Sequence, residues 1–196
     1  MLKIGIFGGT FDPPHLGHLI LATEAMEQLG LDKVYWVITP ESPHKIGQNK
    51  ADVSHRIHMV ELAIRNEPKF AVSMIELDRP GPHFTADTMA IIRAEHPSDH
   101  LTLLLGGDSL AQLPTWKDPI RILNLVDRLG VMRRPGEVLP NLTNLPEIEE
   151  KMVTISAPLL QISSREIRAK IAEGKNFRYY LPEGVFEYIF SINLYR

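Results

Sequence analysis

Two histidines three residues apart, His15 and His18, close the run Gly8-Gly9-Thr10-Phe11-Asp12-Pro13-Pro14-His15-Leu16-Gly17-His18 near the start of the chain. On a helix this spacing sets both imidazoles on one face of the first turn. Ahead of the glycines, Ile4, Ile6 and Phe7 read as a buried strand. Beyond them, residues 19–29 are apolar at helical spacing and closed by Gly30, which reads as a helix with a glycine cap. Strand, glycine turn and helix together aim backbone N–H groups and a positive helix end at an anion. Neither the lysine of a P-loop nor the G-x-G-x-x-G of a dinucleotide binder is present. Two imidazoles beside an anion site suit phosphoryl or nucleotidyl transfer, where positioning and charge stabilisation supply most of the catalysis. A bare H-x-x-H is common on helix surfaces. The turn around this one is what gives it weight.

Three further stretches carry polar groups at strand or helix ends. Ser163 and Ser164 open a helix with Arg168 one turn on, so hydroxyls, free N–H groups and a cation could hold phosphate oxygens. The plainer reading is a serine cap with Glu166 in the first turn. Gly106-Gly107-Asp108 ends the most apolar run of the chain, where a carboxylate could meet ribose hydroxyls or simply cap the next helix. Trp116 offers an aromatic face for a cationic ring, or a partly buried core aromatic.

Taken together, these stretches resemble the nicotinate-nucleotide adenylyltransferase family of the nucleotidyltransferase superfamily. The first run is similar to its GGTFDPxHxGH form, which contains the (T/H)xGH signature, and Ile162 to Arg168 to its ISSTxIR motif, with Arg165 where threonine is usual. The resemblance implies that His15, His18 and Arg168 are catalytic. It gives Gly8, Gly9, Thr10, Phe11, Gly106, Asp108, Ser163 and Ser164 to ATP. Pro43-His44-Lys45 resembles the PPHK loop, with Ser42 for its first proline, and Arg133-Arg134-Pro135-Gly136 the RRPG loop. Lys45 and Arg134 are thereby implied as phosphate contacts of the acceptor. His83 to Thr88 resembles S-Y-T-x-D-T, and Leu113 to Trp116 resembles L/F-P-x-W. Thr85 is then the contact to a nicotinate carboxylate and Trp116 the stacking partner of the pyridine ring. His83, Phe84 and Lys117 stand where the family has serine, tyrosine and, in some members, tyrosine.

The implied reaction transfers AMP from ATP to nicotinate mononucleotide, giving deamido-NAD and pyrophosphate. Mg²⁺ enters with ATP, held mostly by phosphates and water rather than by protein ligands. The alternatives are an amide-using or dual-specificity adenylyltransferase and, from another class, a nucleotide-binding sensor without turnover.

The elements that must position these residues alternate. Strands are expected at 34–38, 70–75, 101–105, 129–132 and 152–155, and helices at 53–64, 85–94 (capped by Thr85), 120–125, 163–174 and 183–192. Such alternation predicts an α/β fold: one doubly wound, Rossmann-like parallel sheet over residues 1–196, with ligands at the carboxyl ends of the strands. The helical part from about 157 to 196 is expected to complete the ATP phosphate site.

Composition narrows the partners. The net charge of −3 provides no basic excess for nucleic acid, and the absence of cysteine excludes disulfides and thiolate chemistry. No apolar run approaches ~20 residues, so no membrane is expected and the cytoplasm is the default compartment. Small molecules are the expected partners, and assembly of like chains is left open.

Overall fold

Six parallel strands form one sheet in the order β3-β2-β1-β4-β5-β6 in the computed structural model, which describes residues 1–40, 51–132, 145, 147–158 and 160–196. The strands are β1 (Lys3–Gly9), β2 (Lys33–Ile38), β3 (Phe70–Ser73), β4 (His100–Gly106), β5 (Arg128–Met132) and β6 (Met152–Ile155). The helices are α1 (Leu16–Leu29), α2 (Val53–Ile64), α3 (Thr85–Glu95), α4 (Gly107–Gln112), α5 (Pro119–Leu125), α6 (Glu147–Lys151), α7 (Ser164–Ala172) and α8 (Glu183–Ser191).

Side-chain alternation along the two central strands builds a core on each face of the sheet. Ile4 and Ile6 of β1 and Leu101, Leu103 and Leu105 of β4 pack with Met89 and Ile92 of α3 and Ile122 of α5. Phe7 and Leu104 face the other way, against Leu21, Ala25 and Leu29 of α1 and Val60 of α2. A third cluster joins Met59 of α2 to Ile167 and Ile171 of α7 and Val185 and Ile189 of α8. It anchors the C-terminal helices beside the sheet. Connections leave β1 toward β2 and β4 toward β5, so the strand order reverses between β1 and β4. That reversal opens the crevice in which sheets of this kind bind ligands.

The doubly wound expectation holds, and the differences are local. Helix α1 begins at Leu16, three residues before the apolar periodicity does, because the extended His15 (φ −140°) serves as its N-cap. It ends, as read, at Gly30 in the left-handed conformation (φ 62°). Strand β3 stops at Ser73 rather than at 75. Thr85 is the first residue of α3 and not its cap; extended Phe84 holds that position. Helix α6 was not expected, since five residues with one buried apolar side chain, Ile148, show no periodicity.

Candidate active site

His15 and His18 meet at the entrance to α1. Their rings stack with centroids 3.7 Å apart and planes 24° from parallel. The His15 backbone N–H donates to His18 Nδ1 at 3.1 Å, so in the neutral ring the His18 proton lies on Nε2. Burial pushes the His15 imidazole down to about 4. It is therefore a neutral ring at physiological pH, half of a pair beside a positive helix end. Close approach explains Gly17: a Cβ there would lie 3.1 Å from His15 Nδ1.

The turn before them is held from beneath. Phe11 adopts a positive φ of 47° and buries its ring against Phe7 and Trp36, with the His18 ring edge-on at 5.2 Å. Its side chain is core, so only its backbone is available to a nucleotide. Arg56, 2% exposed, reaches up from α2 and donates to the carbonyls of Thr10, Thr39, Pro40 and Ala51 at 2.8–3.2 Å. Asp12 is equally buried and accepts from the Ala51 N–H and the Tyr195 hydroxyl.

Helix α7 docks on the same turn. Ser164 Oγ donates to the Pro13 carbonyl at 2.9 Å, and Arg168 Nη1 to the Asp12 carbonyl at 2.6 Å. Ser163 is the N-cap: its hydroxyl accepts the Glu166 N–H and donates to the Glu166 carboxylate. Both hydroxyl protons are thus committed within the protein, and the plainer reading of Ser163 is what the helix start displays. What remains for an anion here is the first-turn N–H groups and the Arg168 guanidinium, whose side chain is 22% exposed.

At the end of β4, extended Gly106 caps α4, and Asp108 projects from its first turn, exposed. Gly106 and Asp108 thus follow β4, the strand that pairs with β1 across the strand-order reversal, at the end where a nucleotide crevice is expected.

A cavity of about 170 Å³ lies on the α3 side. Gly8, Gly9 and Thr10 form one wall, Thr85 and Phe84 another, and Trp116 and Lys117 a third. Trp116 packs one side against the core, its buried Nε1 without a hydrogen-bond partner, while also lining the cavity. Lys117 Nζ sits 4.2 Å from the centroid of the Phe84 ring. Glu76 and His83, both buried, line the cavity too, and Glu76 Oε2 and His83 Nδ1 have no partner. A relay from Arg79 through the Thr88 hydroxyl to Glu76 Oε1 stiffens this wall at 2.7 and 2.6 Å.

Two groups of expected residues are thus assembled: Gly8, Gly9, Thr10, Thr85 and Trp116 around the cavity, and His15, His18, Ser164 and Arg168 around the turn at Asp12 and Pro13. Lys45 and Arg134 lie outside the described residues. Asp12, Arg56, Glu76 and Tyr195 were not singled out from sequence as site residues. Asp12 stood inside the first run and could have been found there, whereas Arg56 and Glu76 carry no local signal. Among the described residues no group of three or more His, Asp or Glu could hold a metal ion, and no helix is long and apolar enough to cross a membrane.

A histidine pair at a helix entrance, a second helix docked on the same turn and a crevice between β1 and β4 make up the candidate site, and the chain's relatives are nucleotidyltransferases. Residues 6–170 match the model of the cytidylyltransferase-like family, and the chain belongs to it. Relatives with which it aligns over its length are nicotinate-nucleotide adenylyltransferases. It is 41% identical to the probable enzyme of Thermomicrobium roseum (100% of this chain, 92% of the other). It is 36% identical to the enzyme of Bacillus subtilis (100% and 99%). The fold is shared with the Plasmodium falciparum nicotinic acid mononucleotide adenylyltransferase complexed with NaAD, at a TM-score of 0.79 and 20% identity over 100% of this chain and 98% of that one.

Proposed function

We propose that the two assembled groups are the two halves of one adenylyl-transfer site. The chain is a nicotinate-nucleotide adenylyltransferase: it moves AMP from ATP to nicotinate mononucleotide, forming deamido-NAD and pyrophosphate in NAD biosynthesis. The acceptor's phosphate attacks the α-phosphorus in line and pyrophosphate leaves. That phosphate is already an anion at neutral pH, so no general base is required.

The observation that carries this reading is the His15–His18 stack with Arg168 docked on the same turn. His18 and His15 stabilise charge developing on the transferred and leaving phosphates as hydrogen-bond donors. With His15 held neutral, its contribution is dipolar and needs no ionisation. Arg168 and the first-turn N–H groups of α7 take the outer ATP phosphates. Helices α7 and α8 thereby complete the phosphate site, which supports treating residues 1–196 as one working unit. Glycines 8, 9 and 106 admit the nucleotide to the backbone, and Asp108 takes the ribose hydroxyls.

The cavity receives the acceptor. Trp116 supplies a face for the cationic pyridinium, and Thr85 with the α3 N-terminus meets the carboxylate. Lys45 and Arg134 are the acceptor-phosphate contacts in this reading. Mg²⁺ would enter with ATP, held mostly by phosphate oxygens and water, and would neutralise part of the phosphate charge. A cytoplasmic setting suits such substrates.

Pyrophosphate release from ATP in the presence of nicotinate mononucleotide tests the proposal. Release is expected with the acid acceptor and absent without an acceptor. ATP binding with no turnover would instead make the chain a nucleotide sensor.

A further inference from the structure

One oxygen of the buried Asp12 carboxylate accepts from two distant parts of the chain. Tyr195 donates its hydroxyl to Oδ1 at 2.6 Å, and the Ala51 N–H approaches the same oxygen at 3.1 Å. Oδ2 accepts no hydrogen bond, although Arg168 Nη1 lies 3.4 Å from it. The same nitrogen donates to the Asp12 main-chain carbonyl at 2.6 Å, a closer contact than its approach to Oδ2. The ion pair is thus held off-centre, with the guanidinium 22% exposed.

Tyr195 is well placed for such a role. Burial first, then the Asp12 charge, keep its phenol above its ordinary value, so it stays a neutral donor. Its ring packs with the cluster of α2, α7 and α8 side chains, which fixes the hydroxyl independently of the site.

We propose that Tyr195 is a positioning residue for the ATP-phosphate site, acting through Asp12 to hold Arg168 at the mouth of the phosphate turn. Without its hydroxyl, Asp12 keeps only the longer Ala51 N–H contact on Oδ1 and turns toward Arg168 as a bidentate partner. The guanidinium is then pulled inward, away from an incoming triphosphate. The inference rests on Arg168 meeting the ATP phosphates.

Tyr195→Phe keeps the ring and removes only the hydroxyl. Steady-state kinetics with both substrates, and calorimetry with inorganic tripolyphosphate as the probe, give the readout. KM for ATP and Kd for tripolyphosphate are expected to rise about tenfold, which corresponds to about 1.4 kcal/mol. The acceptor KM and kcat should stay within about twofold, a difference of less than about 0.5 kcal/mol. In an Arg168→Ala background the same substitution should add nothing. A lowered melting temperature with unchanged ATP and tripolyphosphate affinity would reduce Tyr195 to packing and overturn the proposal. Full additivity with Arg168→Ala would also overturn it. If Arg168→Ala alone left tripolyphosphate binding intact, the Arg168 assignment itself would fall, a failure separable from that of Tyr195.

Discussion

His15 and His18 form a parallel stack, 3.7 Å between ring centroids, and the backbone N–H of the first donates to Nδ1 of the second. The pair is a single fitted unit at the cap of α1. One ring is 7% exposed and neutral by burial, and the other is half-buried, its Nδ1 accepting from the His15 N–H.

Removing His18 should therefore cost rate far more than stability. His18→Ala is expected to lower kcat by ~10²–10³, the usual effect of losing one donor to a developing charge. Gly17→Ala tests the fit of the pair without touching either ring's chemistry. The new methyl lies 3.1 Å from His15 Nδ1, so the ring must shift by a few tenths of an ångström. A smaller loss, about tenfold, is expected there, because misplacement of catalytic groups is felt strongly. Turnover and thermal melts on both variants check this. A His18→Ala enzyme within threefold of the parent would end the catalytic assignment.

Burial of His15 also predicts a pH dependence of stability. Its folded value is about 4 against an ordinary 6.5, so between those values the unfolded chain binds the extra proton. Unfolding free energy therefore rises with pH through that window. The stability is complete above pH 6.5 and lost as pH falls toward 4, by roughly 3 kcal/mol at most. Urea denaturation from pH 4 to 7.5 should show this slope, and His15→Gln should flatten it. An equal slope in the variant would assign the acid sensitivity to other groups.

Arg56 holds four backbone carbonyls from three segments while 2% exposed, beside the Asp12 charge. Arg56→Met preserves much of the apolar stem but leaves those four carbonyls without their charged donor. A loss of about 3 kcal/mol or more is expected, since each buried acceptor left unpaired costs about 1–3 kcal/mol. Chemical denaturation midpoints give the value. A loss under about 1 kcal/mol would show that water replaces the guanidinium.

The contrast between Arg56 and His18 marks what the sequence discloses. The first run, the alternation of elements and the glycine-closed α1 were legible because each is local: periodicity, turn chemistry and spacing lie within a dozen residues. The doubly wound parallel sheet followed from alternation through the rules of βαβ connection. Arg56 and Glu76 were invisible because their meaning is made by contacts across the fold, and a polar residue on a helix or in a turn reads as solvated until its partners are known. Tyr195 reaches Asp12 over 183 positions, a separation no local pattern reports. Phe11 and Ser163 show what a motif position does not disclose: the Phe11 ring fills the core and the Ser163 hydroxyl closes a helix cap, local packing that spacing alone does not report.

The acid acceptor should be preferred over its amide, and the preference should reside at Thr85. The two acceptors differ only in carboxylate against carboxamide. Stacking on Trp116 is nearly blind to that difference, so the ring sets affinity and not choice. Thr85 stands first in α3, where the free N–H groups and the positive helix end favour an anion, and its hydroxyl makes no hydrogen bond to another described residue. A carboxylate meets such donors with both oxygens. An amide turns its NH₂ against one of them and leaves a buried donor unpaired, at ~1–3 kcal/mol. Discrimination of about 10–200-fold in kcat/KM follows. Thr85→Val should lower the acid-to-amide ratio, whereas Trp116→Ala should weaken both acceptors together. Parallel kinetics with the two mononucleotides distinguish these effects. Equal efficiency with both acceptors in the unaltered enzyme would make it a dual-specificity adenylyltransferase and remove Thr85 from the role given to it.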